Sequence, residues 1–160
     1  MVLLLISLSF MTTPISSGHG SRINKLVSLL ANGQVVFGSF SGPHDATGAA
    51  QTIRNRDLDF VFYSMEALED YNIPNLRAFM QFMNLAGVLE NRYDIRTKYP
   101  MLVRIPPLED DREIGPHRVA EVLDSGAHGI VFPQLNSAED AKLAIDSMRY
   151  AGLRPAREAE

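Results

Sequence analysis

Cysteine is absent from this chain of 160 residues. The protein can therefore form neither a disulfide framework nor a thiolate zinc site. Charges of the two signs nearly balance, because the formal net charge is only -4. The sequence also has no cluster or long run of basic residues. Nucleic-acid binding needs a clustered basic face to neutralise phosphates, so the sequence predicts no nucleic-acid partner. The apolar fraction of 46% and the charged fraction of 21% are ordinary for a soluble globular domain.

The apolar run VLLLISLSF at residues 2–10 is too short to cross a bilayer, which takes roughly 20 apolar residues. No membrane partner is therefore predicted. The run has the length of a signal-peptide core, but no Lys or Arg precedes it, and Met11 follows as an alternative start. We expect residues 1–20 to be a leader or a disordered segment outside the fold. A cytoplasmic location is favoured, and export through this segment stays open.

From residue 21 onward, helical spacing of apolar residues alternates with short and nearly continuous apolar runs. A short apolar run followed by a segment with helical spacing recurs roughly every 30 residues, as in a chain of βα units. The expected strands are 35–41, 58–65, 100–107 and 128–135, and the expected helices are 22–34, 45–57, 73–92, 115–127 and 137–150. Ser137 is the expected N-cap of the last helix, with Asp140 three residues further on.

Strands that are apolar on both faces and alternate with helices predict a parallel sheet covered by helices. An open doubly wound sheet and a (β/α) barrel both fit this pattern. A complete barrel has eight units and about 250 residues, so the expected domain at 21–150 would form about half of one. A dinucleotide fingerprint, a phosphate-binding loop and a nucleophile elbow are all missing from the sequence. Residues 151–160 are expected to be an irregular tail.

In either architecture, functional residues are expected at the carboxyl ends of the strands. Arg104 is the sharpest candidate, because it follows Val103 in an apolar strand where a guanidinium needs an anion or a carboxylate. It is either a clamp for a carboxylate or enolate, or one half of an internal ion pair with Glu66. Glu66 could ligate a metal, orient a neighbour or act as that structural partner.

Four further residues are weaker candidates. Phe40, at the end of the first strand, either walls a ligand pocket or caps the core. His44 and His117 are expected in loops, where a lone histidine is usually solvated, and His128 is expected to pack at the start of a strand. The Met and Phe stripe of the helix at 73–92 is expected to belong to the core.

Three segments together resemble the HpcH/HpaI aldolase and citrate-lyase family. They are DLDFVFYSME at 57–66, MLVRIPP at 101–107 and VLDSGAHGIVFPQLNSAEDAKLAIDSMRY at 122–150. The last segment is the most specific, because it follows the family pattern Leu-Asp-x-Gly-Ala-x-Gly-hydrophobic-Pro and ends in Arg-Tyr. The resemblance runs from about residue 24 to 150 and covers the first half of the family's domain.

The resemblance implies a (β/α)₈ barrel in a homo-oligomer, a trimer or hexamer that exchanges one helix between subunits. It implies a class II aldolase, in which a divalent Mg²⁺, Mn²⁺ or Co²⁺ ion holds a pyruvate-like unit. The implied substrate is a small 4-hydroxy-2-oxo acid, which is cleaved to pyruvate and an aldehyde. Arg104 and Glu66 match catalytic positions of the family, and Phe40, Arg104 and Pro133 match positions that contact the 2-oxo acid.

Two departures from the family pattern affect the expected chemistry. Ser64, Glu66 and Ala67 occupy the family's Asp-x-Glu-His motif, so alanine, which cannot transfer a proton, replaces the acid–base histidine. The family's metal ligands come from its fifth and sixth strands, so we expect no metal ligand within this chain. Three functions stay open: a truncated lyase, active or inactive; a non-catalytic half-barrel that acts as a partner or regulatory subunit; or a pseudogene product.

Overall fold

The computed structural model describes residues 24–41, 46–53, 57–90 and 99–149. The expected leader 1–20, the expected tail 151–160 and His44 lie outside the described residues. The elements are α1 (Lys25–Ala31), β1 (Gly38–Ser41), α2 (Ala46–Ile53), β2 (Phe60–Ser64), α3 (Ile73–Glu90), β3 (Met101–Arg104), α4 (Gly115–Asp124), β4 (Gly129–Val131) and α5 (Ala138–Ser147). Each predicted strand and helix is therefore present, and the strands are shorter than predicted.

The four strands form one parallel sheet in the order β1-β2-β3-β4. Each strand lies beside the one that precedes it in the chain, so every crossover advances across the sheet in the same direction. Since such crossovers are right-handed, their helices all lie on one face. A doubly wound sheet instead reverses its strand order at a switch point. The predicted parallel α/β fold is confirmed, and its winding is that of half a (β/α) barrel.

The face of the sheet that the crossover helices cover, here called the covered face, holds the main core. Val61, Tyr63, Met101 and Val103 point to this face and are fully buried. The helices add a group of buried apolar side chains: Ala49, Leu76, Phe79, Met80, Met83, Val119, Val122 and Ala144. The ring of Tyr63 meets that of Phe79 edge-on, with 4.9 Å between the centroids. The predicted core role of the Met and Phe stripe is confirmed.

The opposite side of the sheet, here called the open face, has a second and smaller core at its amino end. There Leu26 of α1 packs with Phe60 and Phe62 of β2. The backbone of β1 approaches so closely that a Cβ atom on Gly38 would lie 2.3 Å from the Phe60 ring. This end of the open face is therefore tightly filled, and only glycine fits beside Phe60.

Local signals at the helix ends account for most of the boundaries. Gly33 follows α1 with a φ of 67°, and the Ser137 hydroxyl accepts a hydrogen bond from the Asp140 N–H at 3.0 Å, which confirms the predicted cap of α5. The predicted loop position of His117 is wrong, because His117 is an exposed residue of α4. Pro116 is compatible with the first turn of a helix, and α4 begins at Gly115, where the predicted helix 115–127 also begins.

Among the described residues, no helix combines the length and the apolar character that crossing a bilayer requires.

Candidate functional site

The candidate site lies on the open face, at the carboxyl ends of β2 and β3. Ser64 and Arg104 end these two strands and stand opposite each other in the parallel register. On the other side of β2, Phe40 of β1 stands opposite Phe62 of β2. Because side chains two residues apart on a strand share a face, Phe62 and Ser64 both point toward the Arg104 side chain.

Two side chains hold one edge of the Arg104 guanidinium group. The Arg104 Nε donates a hydrogen bond to the Ser64 hydroxyl oxygen at 3.0 Å. The Arg104 Nη2 forms an ion pair with Glu66 Oε2 at 2.9 Å, which is the internal ion pair that the sequence left open as the alternative to a ligand clamp. Within residues 24–41, 46–53, 57–90 and 99–149, no hydrogen bond engages Arg104 Nη1. Nη1 and the second hydrogen of Nη2 therefore form an edge that can take a carboxylate.

Two stacked phenylalanine rings lie beside the guanidinium group. The centroids of Phe40 and Phe62 are 5.3 Å apart, with an angle of 20° between the ring planes. The Arg104 Cζ atom is 5.6 Å from each of the two centroids, within reach of a cation–π contact. Phe62 is buried, whereas Phe40 is 52% exposed. Phe62 thus anchors the stack, and Phe40 presents its outer surface to solvent.

Position, rather than stability, is the main contribution of the Arg104–Glu66 pair. The Arg104 side chain is 26% exposed and the Glu66 side chain is 36% exposed. A partly solvated ion pair of this kind is screened, and it contributes on the order of 1 kcal/mol or less to the free energy of unfolding. The pair, together with Ser64, fixes the direction in which the guanidinium group faces.

Two further residues lie at the carboxyl edge of the sheet. Pro133 follows β4 and is half-buried, and its contact with the 2-oxo acid stays a prediction. Ala67 follows Glu66 and begins a single 3₁₀ turn at Leu68–Asp70. Its methyl group supplies no proton donor or acceptor, so Glu66 is the only carboxylate among residues 64–67.

His128 has a structural role, as predicted from its place at the start of a strand. Its Nδ1 atom accepts a hydrogen bond from the Met101 backbone N–H at 3.1 Å. The His128 backbone N–H donates in turn to the Met101 carbonyl oxygen at 2.9 Å. Burial lowers the pKa of His128 below its ordinary value, because the charged imidazolium would lose its hydration there. The neutral ring therefore links β3 to β4.

The loop that follows β3 is fastened at two points, once to the loop that follows β4 and once to the first turn of α5. Asn136 Nδ2 donates a hydrogen bond to Glu109 Oε2 at 2.8 Å, and the Arg112 guanidinium forms an ion pair with the buried Asp140 carboxylate. The hydrogen bond from the Ser137 hydroxyl is the largest cause that lowers the pKa of Asp140, and the charge of Arg112 also lowers it. These contacts hold the rim of the sheet next to Arg104.

The divalent metal implied by the family resemblance has no matching set of ligands among the described residues. No three His, Cys, Asp or Glu side chains in that part of the chain lie close enough together to hold an ion. The Glu66 carboxylate at this edge already pairs with Arg104. We therefore derive no step of the reaction through a metal ion.

The sequence pattern alone does not mark Phe62 as a site residue or Ser64 as the hydrogen-bond partner of Arg104. Phe62 has the pattern of an ordinary strand interior, and Ser64 is expected only as the replacement for the family's aspartate. A usable signal was available, because Phe62, Ser64 and Glu66 follow one another at every second residue. That period places all three near an arginine on the neighbouring strand.

Comparisons with known proteins return no match among family models, curated proteins or solved structures. The functional inference therefore depends on the Arg104 cluster and on the resemblance in the sequence segments around it.

Proposed function

We propose that this chain follows the plan of the HpcH/HpaI aldolases and that its site binds the carboxylate of a 2-oxo acid through Arg104. The arrangement of the Arg104 guanidinium carries the proposal: Ser64 and Glu66 hold one edge, and the other edge has no partner among the described residues. A guanidinium edge and a carboxylate match as two parallel hydrogen bonds. The location at the carboxyl end of β3 also supports the proposal, because (β/α) barrels bind their substrates there.

The reaction that we propose is the cleavage of a 4-hydroxy-2-oxo acid to pyruvate and an aldehyde. In this step the C3–C4 bond breaks, its electron pair forms the enolate of pyruvate, and the 4-hydroxyl group loses its proton as the aldehyde forms. The positive charge of Arg104 would stabilise the negative charge on the carboxylate and enolate. Water would accept the hydroxyl proton, because Ala67 cannot and Glu66 is paired with Arg104. Water would also donate a proton to C3 of the enolate, which completes the pyruvate.

A second candidate is a non-catalytic relative that binds a 2-oxo acid and acts as a partner or regulatory subunit. Ala67 favours this candidate, because the proton-transferring side chain of the family is missing while Arg104 and Glu66 remain. The proposed homo-oligomeric assembly suits both candidates, since apolar side chains away from the site are also exposed, such as Leu85 of α3 and Ile145 of α5.

The binding proposal can be tested by titrating the full chain with pyruvate in a calorimeter. We expect Arg104→Met to weaken pyruvate binding by at least about tenfold, because it removes the charge and both donors of the free edge. Arg77→Met is the control, since Arg77 is an exposed arginine of α3 whose Nε also donates to a serine hydroxyl, that of Ser125. Equal pyruvate affinity of the unaltered chain and Arg104→Met would contradict the proposed function.

The same protein can distinguish the lyase from the non-catalytic relative. The double change Ser64→Asp with Ala67→His restores the residue types of the family motif next to Glu66. A strong rise in pyruvate release from a 4-hydroxy-2-oxo acid, measured with added divalent ions, would support the lyase. Unchanged release in a variant that still binds pyruvate would support the non-catalytic relative.

A further inference from the structure

We infer that this site prefers a 2-oxo acid that carries an aromatic ring, with the ring stacked on the outer surface of Phe40 and the carboxylate on the free edge of Arg104. This inference rests on the proposed function and specifies the class of ligand. Two features carry it: an exposed ring held in place by a buried one, and a cation beside both rings.

The geometry leaves the outer surface of Phe40 available to a ligand. Arg104 Cζ is 5.6 Å from the centroids of both Phe40 and Phe62, and the two centroids are 5.3 Å apart. The guanidinium group is therefore equidistant from the two rings and does not lie on the side of Phe40 that faces away from Phe62. Phe62 occupies the inner side of Phe40, and the exposed fraction of Phe40 is 52%. A third ring can therefore extend the stack without displacing Arg104.

The same distances limit the shape of the ligand. Stacked rings have centroids about 4.5–7 Å apart, so a ring on the outer side of Phe40 lies farther from the guanidinium group than Phe40 does. A carboxylate attached directly to that ring would stop short of Arg104. A spacer of about two or three bonds lets the carboxylate turn back to the free edge. A 2-oxo acid with an aryl group on C3 has this spacing, and benzoate does not.

An aromatic group gains more here than an alkyl group of similar size. Stacked aromatic pairs are stabilised beyond the area that they bury, by an amount that corresponds to about threefold to tenfold in affinity. Phe62 restrains the Phe40 ring, so less conformational freedom is lost when the ligand stacks on it. The expected selectivity is therefore for the ring itself and not merely for apolar bulk.

Phe37 offers a matched control on the same segment of chain. It is 49% exposed, close to the value for Phe40, and it lies just before β1. Its backbone N–H is bound by the Asp59 carboxylate at 3.0 Å, and among the described residues its ring stacks on no aromatic neighbour and contacts no arginine. A change at Phe37 thus removes an exposed ring without altering the Arg104 cluster.

The test compares the affinities of the full chain for phenylpyruvate and 3-cyclohexylpyruvate, which share charge and length and differ in the ring. We expect phenylpyruvate to bind threefold to tenfold more tightly. Phe40→Leu should bring the ratio of the two affinities close to one, whereas Phe40→Tyr and Phe37→Leu should preserve it. Because each ratio is measured within a single protein, partial unfolding of a variant does not change it.

The outcomes separate this inference from the proposed function. Equal affinity for the two acids in the unaltered chain would overturn the inference, and so would a ratio that survives in Phe40→Leu. If pyruvate binding still depends on Arg104 in those cases, the proposed function stands. If none of the three acids binds in a manner that depends on Arg104, both proposals are wrong.

Discussion

The two faces of the sheet are made from the same strands but have different tasks. On the covered face, Val103 and the other strand residues that point to that face are fully buried beneath α2, α3, α4 and α5. On the open face, the next residue along the strand is Arg104, which reaches solvent together with Glu66 and Phe40. Because side chains alternate along a strand, a step of one residue separates the stabilising side from the binding side.

The two faces should differ most in how much the loss of a side chain lowers the free energy of unfolding, and the neighbours Met101 and Leu102 test this. Met101 is fully buried on the covered face, so Met101→Ala should lower the free energy of unfolding by about 2–5 kcal/mol through lost burial and a cavity. Leu102 is half-buried on the open face, so Leu102→Ala should cost about 1–2 kcal/mol. Urea unfolding of both variants measures the difference. Equal losses would show that the open face contributes as much stability as the covered face.

The open face has a filled amino end and an exposed carboxyl end, and Gly38 tests the filled end. Gly38→Ala places a Cβ atom 2.3 Å from the buried Phe60 ring, so overpacking should cost about 1–3 kcal/mol. Ser39→Ala, on the adjacent residue, is the control and should change the free energy of unfolding by about 0.5 kcal/mol or less. Thermal unfolding of the two variants provides the comparison. An unaffected Gly38→Ala would mean that Phe60 can move and that this end is loosely packed.

The smallest expected effect concerns pH and the edge between β3 and β4. Burial lowers the pKa of His128 below 6.5, the ordinary histidine value, so the unfolded chain binds this proton at a higher pH than the folded chain does. The contribution of His128 to stability is therefore complete above pH 6.5 and declines as the pH falls toward the lowered pKa.

Urea unfolding between pH 7.5 and pH 5 can follow this decline in the unaltered chain and in His128→Gln. The slope of stability against pH should be smaller in the variant. His117→Gln changes an exposed histidine of α4 and should leave the slope as it is. A slope that is the same in all three proteins would show that His128 does not cause it.

Local patterns were sufficient to predict the strands and helices. The run at Phe60–Ser64 reads as apolar in the sequence, and all five of its residues are buried. The pairing of Arg104 with Glu66 followed from the cost of leaving a guanidinium without a partner among apolar neighbours. Strand order was not predictable in this way, because the choice between a barrel and a doubly wound sheet depends on which strands become neighbours.

The roles of Phe62 and Ser64 in the site are not predictable from the sequence for the same reason. The stack of Phe62 on Phe40 depends on the register between β1 and β2, and the hydrogen bond from Arg104 to Ser64 depends on the register between β2 and β3. Neither register is encoded in a single strand. The loop position of His117 is wrong for a different reason, because it conflicts with the predicted helix 115–127, which contains Pro116 in its first turn.

Because all the crossovers run in the same direction, the gene of such a protein can lengthen by duplication of βα units. Every βα unit between β1 and β4 moves the sheet forward by one strand and puts its helix on the same side. A tandem duplication of one unit would therefore give a copy whose inner and outer residues are already correct. Duplication of a βα unit requires no substitutions in the existing strands. Later substitutions at the strand ends can then change the site one unit at a time.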